Sequence, residues 1–252
     1  MGYIIQAACG CDMGRIRKNN EDNFFFDGKC LGKDNNGLTK PIRINRLRHG
    51  FCVAVFDGMG GENFGELASY VAAHHMQLTE RSLSDIFIPK EEYLEKLALQ
   101  LNDAVVEAQK EMHTEHMGTT MVSLYFWGRY AYVCNVGDSR AYRLHNGEIT
   151  RISVDHVEQC PGREEKKAPL TQHLGFGSEE IQIEPYITKR ELKKGDIYLL
   201  CSDGLTDMLT DLEIFDIVIQ SESVESCVQD LIVAACEHGG RDNITVIVCK
   251  LN

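Results

Sequence analysis

Short apolar runs joined by tight links constrain the fold of this chain more than any other feature. Gly128-Arg129 and Asn146-Gly147 each join two such runs, and Asn-Gly is a strong signal for a two-residue hairpin. Strands linked so tightly are antiparallel neighbours, because parallel neighbours need a long crossover. The predicted strands are residues 3–8, 24–27, 51–56, 120–127, 130–136, 141–144, 148–153, 181–188, 196–201 and 244–251.

Two helical blocks interrupt the strands. The first covers about residues 65–116 with a break near Pro89, and the second covers residues 211–220 and 224–238. Apolar residues such as Leu94, Leu97 and Leu101 recur at helical spacing, which indicates one buried stripe. Residues 31–50 and 157–173 are predicted loops. The pattern predicts an α+β fold, a β-sandwich of two antiparallel sheets flanked by pairs of α-helices.

Composition narrows the function classes. The 252 residues are 43% hydrophobic and show no repeat or linker, so we expect one domain over residues 1–252. A net charge of −12 argues against nucleic acid as the main partner. There is no apolar run of roughly 18 residues and no secretory signal, which predicts a cytoplasmic protein without a membrane partner. The ten cysteines form no Cys-x-x-Cys pair, so we expect reduced, buried thiols.

Acidic residues follow several of the apolar runs. We expect Asp22, Asp57, Asp203 and Asp242 to lie just after strands. Asp57, Asp203 and Asp138 each stand beside a glycine where an apolar run ends. Carboxylates that converge at one end of a sheet repel each other unless a cation neutralises them. Hard oxygen ligands suit Mg²⁺ or Mn²⁺. These aspartates alone predict a divalent-metal site but no particular reaction.

Other common site types do not match. Residues 58–61 (GMGG) lack the spacing of a dinucleotide-binding fingerprint. The chain has no Walker lysine loop and no Gly-x-Ser-x-Gly nucleophile elbow. His113 and His116 could reach one metal from a helix, but a solvated helix end is the favoured interpretation.

An ordered set of motifs resembles the PPM (type 2C) metal-dependent protein serine/threonine phosphatases in their bacterial form. The similarity covers nearly the whole chain, and the ordered set is far more specific than any one motif. The motifs are residues 12–22 (DMGRIRKNNED), 56–61 (FDGMGG), 117–120 (MGTT), 137–140 (GDSR) with 155–156 (DH), 201–207 (CSDGLTD) and 240–245 (GRDNIT).

The resemblance implies two tightly bound Mn²⁺ or Mg²⁺ ions. In the family pattern, Asp57 bridges both metals and Gly58 offers its backbone carbonyl to one of them. Asp203 and Asp242 would bind the first metal.

The same resemblance implies ligands for two further positions. Asp22 and Glu21 would serve the second metal, at least partly through water. Asp138 and Asp207, together with Asp203, would form the weaker third metal site of bacterial relatives.

The implied reaction is hydrolysis of phosphoserine or phosphothreonine. A hydroxide that bridges the two metals would attack phosphorus directly, without a phosphoenzyme. Arg17 would hold the phosphate, because a guanidinium offers two parallel hydrogen bonds. Phosphorylated proteins are the implied substrates, and a Hanks-type serine/threonine kinase is the implied counterpart.

Some positions depart from the family pattern. Many eukaryotic relatives have a proposed general acid, histidine, where this chain has Met59, so the proton donor is unassigned. We expect His156 to make a structural hydrogen bond and Glu62, often histidine in bacterial relatives, to be neutral for catalysis. The flap at 157–173 looks short and the loop at 31–50 looks long.

The long loop is basic. It carries a single acid, Asp34, against five cations, which are Lys33, Lys40, Arg43, Arg46 and Arg48. A solvated surface loop is the favoured interpretation. The alternative is that the loop docks acidic segments of phosphoproteins.

Two alternatives to an active phosphatase stay open. One is a pseudophosphatase that binds phosphoproteins without turnover, and retention of every expected acid argues against it. The other is a regulatory module within a larger signalling protein. Because the chain ends at its last predicted strand, we expect a stand-alone, monomeric enzyme.

Overall fold

The computed structural model describes residues 4–46, 50–60, 64–79, 88–114, 116–158, 168–176 and 182–252. The strands in these residues are β1 (Ile5–Asp12), β2 (Asp22–Phe26), β3 (Ile42–Arg46), β4 (Phe51–Gly60), β5 (Met117–Thr119), β6 (Met121–Trp127), β7 (Tyr130–Val136), β8 (Arg140–His145), β9 (Glu148–Arg151), β10 (Tyr186–Glu191), β11 (Ile197–Cys201) and β12 (Ile244–Leu251). The helices are α1 (Gly65–Thr79), α2 (Lys90–Glu111), α3 (Asp203–Thr206), α4 (Asp211–Gln220) and α5 (Val224–Glu237).

The strands form two sheets in which every pair is antiparallel. One sheet has the order β3-β1-β12-β11-β8-β9 and the other has β10-β7-β6-β4-β2, with β5 attached to β4. Alternate side chains of both sheets, such as Cys9, Val53, Leu124 and Ile247, meet in one buried cluster. This period of two places one face of each sheet inside the sandwich.

Helices cover the outer faces of the sandwich. Met76 of α1 and Leu94 of α2 pack on the β4–β7 sheet. Val218 of α4 and Leu231 of α5 pack on the sheet that contains β1 and β12. The predicted α+β sandwich flanked by helix pairs is therefore confirmed. No helix in the described residues is long and apolar enough to cross a membrane.

The predicted hairpin turn and the predicted start of the second helical block at Asp211 are confirmed. His145 pairs with Glu148 across the predicted hairpin, and Asn146 and Gly147 have φ values of 51° and 80°. Two positive φ values are the signature of a type I′ turn. At α4, a reciprocal capping box between Thr210 and Glu213 fixes the start of the helix.

The prediction of a loop over residues 31–50 was partly wrong. Ile42–Arg46 forms an edge strand that pairs with β1, from Ile42 opposite Cys9 to Arg46 opposite Ile5. Ile42 and Ile44 pack against the core, whereas Arg43 and Asn45 are exposed. The alternation of apolar and polar residues is only five residues long and is flanked by charged residues. The sequence therefore gave no clear strand pattern here. Arg48 lies outside the described residues.

Other boundaries of strands and helices also differ from the prediction. β5 was missed because three residues that include a glycine carry no strand pattern. The predicted strand 181–188 begins only at Tyr186, and residue 181 is outside the described part. The first helical block, predicted to reach His116, ends at Glu111. β1 extends to Asp12 because β12 pairs with it over its full length.

The cysteines behave as predicted for buried thiols. Nine lie in the described residues; all nine are free and eight are buried, and Cys160 lies outside that part. Burial raises the pKa of the Cys134 thiol to about 12. Thiols with such a high pKa are poor nucleophiles and poor metal ligands.

Candidate active site

The acids converge where the two sheets end together, but not in the way that the strand pattern predicted. Asp203 does follow β11, as expected, and it opens α3. Asp22 is instead the first residue of β2, and Asp242 precedes β12 by two positions. Asp57 lies inside β4, because β5 pairs with Gly58–Gly60 and so prolongs the strand.

Asp22 is the most buried of these acids, with 1% of its surface exposed, and it lies opposite Asp57 in the β2–β4 register. Its Oδ2 accepts a hydrogen bond from Ser202 Oγ at 2.7 Å. Burial raises the pKa of Asp22 to about 7, and the negative charges of Asp242 and Glu21 add to the shift. Without a cation beside it, the ionised form of Asp22 is therefore disfavoured.

Glu21 and Gly58 pack closely at the start of β2. The Gly58 N–H donates to the Glu21 carbonyl at 3.1 Å. A Cβ on Gly58 would lie 2.1 Å from the Gly65 carbonyl oxygen, so a side chain cannot be accommodated there. Burial raises the pKa of the Glu21 carboxyl group.

Asp57 is held through its backbone by a motif whose role the sequence did not reveal. The Thr119 hydroxyl and the Thr120 N–H both donate to the Asp57 carbonyl, at 2.9 Å and 2.8 Å. The Asp57 N–H donates to Thr120 Oγ1 at 3.1 Å. Thr120 Oγ1 lies 2.6 Å from Ser139 Oγ, which connects Asp57 to the turn that carries Asp138.

Arg17 reaches the acids as predicted. Its Nη2 lies 2.7 Å from Asp242 Oδ2, and its Nη1 lies 4.0 Å from Glu21 Oε2. The hydrogen bond to Asp242 raises the pKa of Arg17. With 43% of its side chain exposed, Arg17 is accessible from solvent at the mouth of the site.

Asn243 is a further site residue, and no role was predicted for it. It is 2% exposed, and its Nδ2 donates to the carbonyls of Met13 and Asn19 at 2.9 Å and 3.0 Å. Its Oδ1 accepts from the Glu21 N–H at 2.8 Å. One amide thus fixes the whole segment between Met13 and Glu21 beside Asp242.

Replacing Asn243 with alanine should destabilise this segment. The change leaves three partly buried backbone groups without their side-chain partner, at roughly 1–3 kcal/mol for each group that water does not reach. We expect the free energy of unfolding to fall by about 2–4 kcal/mol in urea titrations. Asn45→Ala, at an exposed position in β3, is the matched control. Equal stability of the two variants would contradict the role given to Asn243.

Glu66 is a second residue that sequence reasoning missed. It is 7% exposed in the first turn of α1, and Asn19 Nδ2 lies 3.4 Å from its Oε2 and 3.3 Å from Glu21 Oε1. Its charge contributes to the raised pKa of Glu21. The only signal in the sequence is its position five residues after the Gly60-Gly61 pair of the motif.

Asp138 and Asp207 lie at the edge of the site. The Asp207 N–H donates to the Asp203 carbonyl at 2.7 Å, which closes α3. Asp138 is half-buried in the turn after β7. Their sharing of a third metal with Asp203 stays a prediction, as do the metal-binding roles of the other acids.

His156 has the structural role expected from the sequence. Its Nδ1 accepts a hydrogen bond from the Gly137 N–H at 3.2 Å. Burial lowers the pKa of His156, which favours the neutral ring that can accept this bond. Glu62 and most of the predicted flap, residues 159–167, lie outside the described residues, whereas Met59 is exposed.

The donor chemistry of the site fits a divalent cation. Its side chains offer carboxylate oxygens, and burial raises the pKa of Asp22 and Glu21, so a bound cation would favour their ionised forms. Within the described residues, no three His, Cys, Asp or Glu side chains are arranged to hold an ion as they stand. The Arg17 guanidinium pairs with Asp242 Oδ2, so a cation would compete with Arg17 for this oxygen.

The sandwich, the acids and Arg17 agree with the fold and the motifs of the metal-dependent protein phosphatases. The model of the family described as protein phosphatase 2C matches residues 42–234. The chain belongs to this family.

Individual relatives agree with that assignment. The chain is 31% identical to the serine/threonine protein phosphatase PstP of Mycobacterium tuberculosis, over 98% of this chain and 45% of that protein. It is 30% identical to the serine/threonine phosphatase stp of Listeria welshimeri, over 96% of this chain and 94% of the relative. The chain thus spans less than half of PstP and nearly all of stp.

A solved structure shows the same fold. The catalytic domain of PstP in complex with two manganese ions superposes with a TM-score of 0.77 at 30% identity, over 99% of both chains.

Proposed function

We propose that this chain hydrolyses phosphoserine and phosphothreonine in proteins. The observation that carries the proposal is the grouping of three carboxylates around Arg17: the charges of Asp242 and Glu21 act on the buried Asp22, while Arg17 pairs with Asp242 and lies 4.0 Å from Glu21. An acidic pocket with one exposed guanidinium suits a divalent cation and a phosphate together. The names of PstP and stp support the same substrate class.

The cofactor in this proposal is Mn²⁺ or Mg²⁺. PstP binds two manganese ions, and the oxygen donors of this chain fit the same kind of ion. When bound, the cations supply a hydroxide at neutral pH and neutralise charge on the phosphoryl oxygens. The proposed ligands of the two tight sites are Glu21, Asp22, Asp57, Gly58, Asp203 and Asp242. The proposed ligands of the weaker third site are Asp138, Asp203 and Asp207.

The chain's own residues bind and orient the substrate. Arg17 would leave Asp242 and hold two phosphoryl oxygens through its planar fork. Thr119 and Thr120 would keep Asp57 in place, and Asn243 would keep the segment that carries Arg17 beside Asp242. Met59 is a thioether and carries no proton for the leaving oxygen.

The proposal also covers the domain organisation, the location and the partners of this chain. β1 pairs with β12, so both ends of the chain build one sheet, which supports a single phosphatase domain over residues 1–252. We infer a cytoplasmic monomer that acts on phosphorylated proteins, opposite a serine/threonine kinase that makes them. The net charge of −12 supports a role without nucleic acid.

Metal dependence tests the proposal directly. The substrates are a phosphothreonine peptide and p-nitrophenyl phosphate, assayed with Mn²⁺ and with a chelator. We expect hydrolysis with Mn²⁺ and a loss of at least about 100-fold with chelator or in Asp203→Asn, because several kcal/mol of charge stabilisation disappear. Asp216→Asn on the exposed face of α4 is the matched control.

The outcomes separate the candidate functions. Activity that survives chelation and Asp203→Asn would contradict the metal mechanism. A wild-type protein that binds the phosphopeptide but hydrolyses neither substrate would favour a pseudophosphatase.

A further inference from the structure

The turn that carries Asp138 packs directly on Thr120, the residue between β5 and β6. Gly137 and Ser139, the chain neighbours of Asp138, both contact this threonine. Ser139 Oγ lies 2.6 Å from Thr120 Oγ1. A Cβ on Gly137 would lie 2.7 Å from Thr120 Cγ2, so the backbone of the turn touches the threonine methyl group. Contacts with Thr120 therefore hold the turn on both sides of Asp138.

Thr120 also holds the backbone of Asp57. The Asp57 N–H donates a hydrogen bond to Thr120 Oγ1 at 3.1 Å, and the Thr120 N–H donates to the Asp57 carbonyl at 2.8 Å. One hydroxyl oxygen thus contacts both Asp57 and Ser139. Asp57 is the proposed shared ligand of the two tight metal sites, and Asp138 is a proposed ligand of the weaker third site. A single hydroxyl–hydroxyl contact joins the two parts of the site.

The contact is buried and has no substitute nearby. Ser139 has 0% and Thr120 has 2% of its surface exposed. Within the part of the chain that the structure describes, the Ser139 hydroxyl has no hydrogen-bond partner except Thr120. A buried hydroxyl that loses its partner is unfavourable, so the folded protein keeps this bond.

Loss of the Ser139 hydroxyl would affect the two acids unequally. Asp57 keeps its bonds to Thr120, and the Thr119 hydroxyl still donates to its carbonyl at 2.9 Å. The turn of Asp138 loses its side-chain bond to Thr120. Neither hydroxyl is among the proposed metal ligands, so any effect on metal binding acts through the positions of the acids.

We propose that Ser139 is a positioning residue that aligns Asp138 with Asp57 through Thr120 and thereby sets the affinity of the third metal site. Groups that orient metal ligands typically change metal affinity or activity by about 10–100-fold when they are removed. The inference rests on the proposed phosphatase function, which supplies the third site, and it identifies what connects that site to the two tight ones.

Ser139→Ala tests this role through Mn²⁺ binding, measured by calorimetry without substrate, beside hydrolysis of p-nitrophenyl phosphate. We expect the weakly bound Mn²⁺ to lose about tenfold in affinity, while the tightly bound ions change less than about twofold. Hydrolysis should require more Mn²⁺ in proportion to the weaker binding. Circular dichroism would check that the variant is folded.

Variants of Thr120 test the same bond from its other end. Thr120→Val removes the acceptor of the Asp57 N–H as well, so we expect both the tight and the weak ions to bind less strongly. Thr120→Ser keeps the hydroxyl and should bind Mn²⁺ as wild type does. The double variant Ser139→Ala, Thr120→Val should bind the weak ion no less tightly than Thr120→Val alone, because both changes remove one shared bond. These variants also decide the question should Ser139→Ala not fold.

Ser123→Ala is the matched control. Ser123 has 0% of its surface exposed in β6, and its hydroxyl donates to the Cys134 carbonyl at 3.3 Å. The change removes an equally buried hydroxyl from the same sheet, away from the proposed ligands. It should leave the Mn²⁺ affinities unchanged, even where it lowers the stability to urea as much as Ser139→Ala does.

Several outcomes would overturn the positioning role. These are wild-type affinity for the weak ion in Ser139→Ala, an equal loss at the tight and weak ions, the same loss in Ser123→Ala, or a wild-type protein without a weak Mn²⁺ site. A wild-type protein that binds tight and weak Mn²⁺ but does not hydrolyse p-nitrophenyl phosphate would instead overturn the proposed function. The binding data for Ser139→Ala would still decide whether Ser139 positions Asp138.

Discussion

Asp57→Asn is expected to lower kcat by about 10³-fold for both phosphopeptide and p-nitrophenyl phosphate, while the fold persists. Asp57 is the proposed shared ligand of the two tight metal sites, and asparagine replaces a charged oxygen with a neutral amide. A loss of about 4 kcal/mol of transition-state stabilisation corresponds to a factor near 10³. The fold should survive because Thr119 and Thr120 hold Asp57 through its backbone rather than its carboxylate.

Variants of two other aspartates provide the comparison for the loss of kcat in Asp57→Asn. Asp138→Asn, at the proposed weaker site, should reduce kcat less than Asp57→Asn at saturating Mn²⁺. Asp216→Asn, on the exposed face of α4, should match wild type. Circular dichroism and urea unfolding would check that Asp57→Asn is folded. A folded Asp57→Asn protein with wild-type kcat would remove Asp57 from the mechanism.

The fold was predictable wherever the determinants are local. The Asn146-Gly147 turn and the capping box at Thr210 are each built from residues that are adjacent or three apart, so their boundaries could be read from a short window. The edge strand Ile42–Arg46 has no such local determinant. It forms because β1 pairs with it, and a five-residue alternation amid charge gave no comparable local signal.

In the site, too, local motifs were predictable and contacts between distant residues were not. Motifs named the acids and Arg17, but a motif does not say what holds an acid in place. Asn243 contacts the Glu21 N–H across 222 positions, and Ser202 contacts Asp22 across 180. Such contacts depend on how the sheets close, so a one-dimensional pattern cannot supply them. The placement of Asp57 inside β4 likewise depends on pairing with β5, which is distant in sequence.

The metal-free protein should be destabilised by the same charges that would bind metal, and Asp22→Asn should reverse part of that effect. Burial raises the pKa of Asp22 from 3.8 to about 7. Between roughly pH 4 and pH 7 the unfolded chain has lost this proton while the folded protein still holds it. Stability therefore falls as pH rises through this window, by about 4 kcal/mol at roughly 1.4 kcal/mol per pKa unit.

Asparagine at position 22 carries no charge, and its Oδ1 can still accept the hydrogen bond from Ser202. In a chelator at pH 8, we expect Asp22→Asn to unfold at a higher urea concentration than wild type, with the difference shrinking toward pH 4. Adding Mn²⁺ should reverse the order, because a ligand stabilises only the protein that binds it. A variant less stable than wild type at pH 8 without metal would mean that the folded protein already favours the ionised Asp22. The acidic site would then be organised around Arg17 alone, without need of a cation.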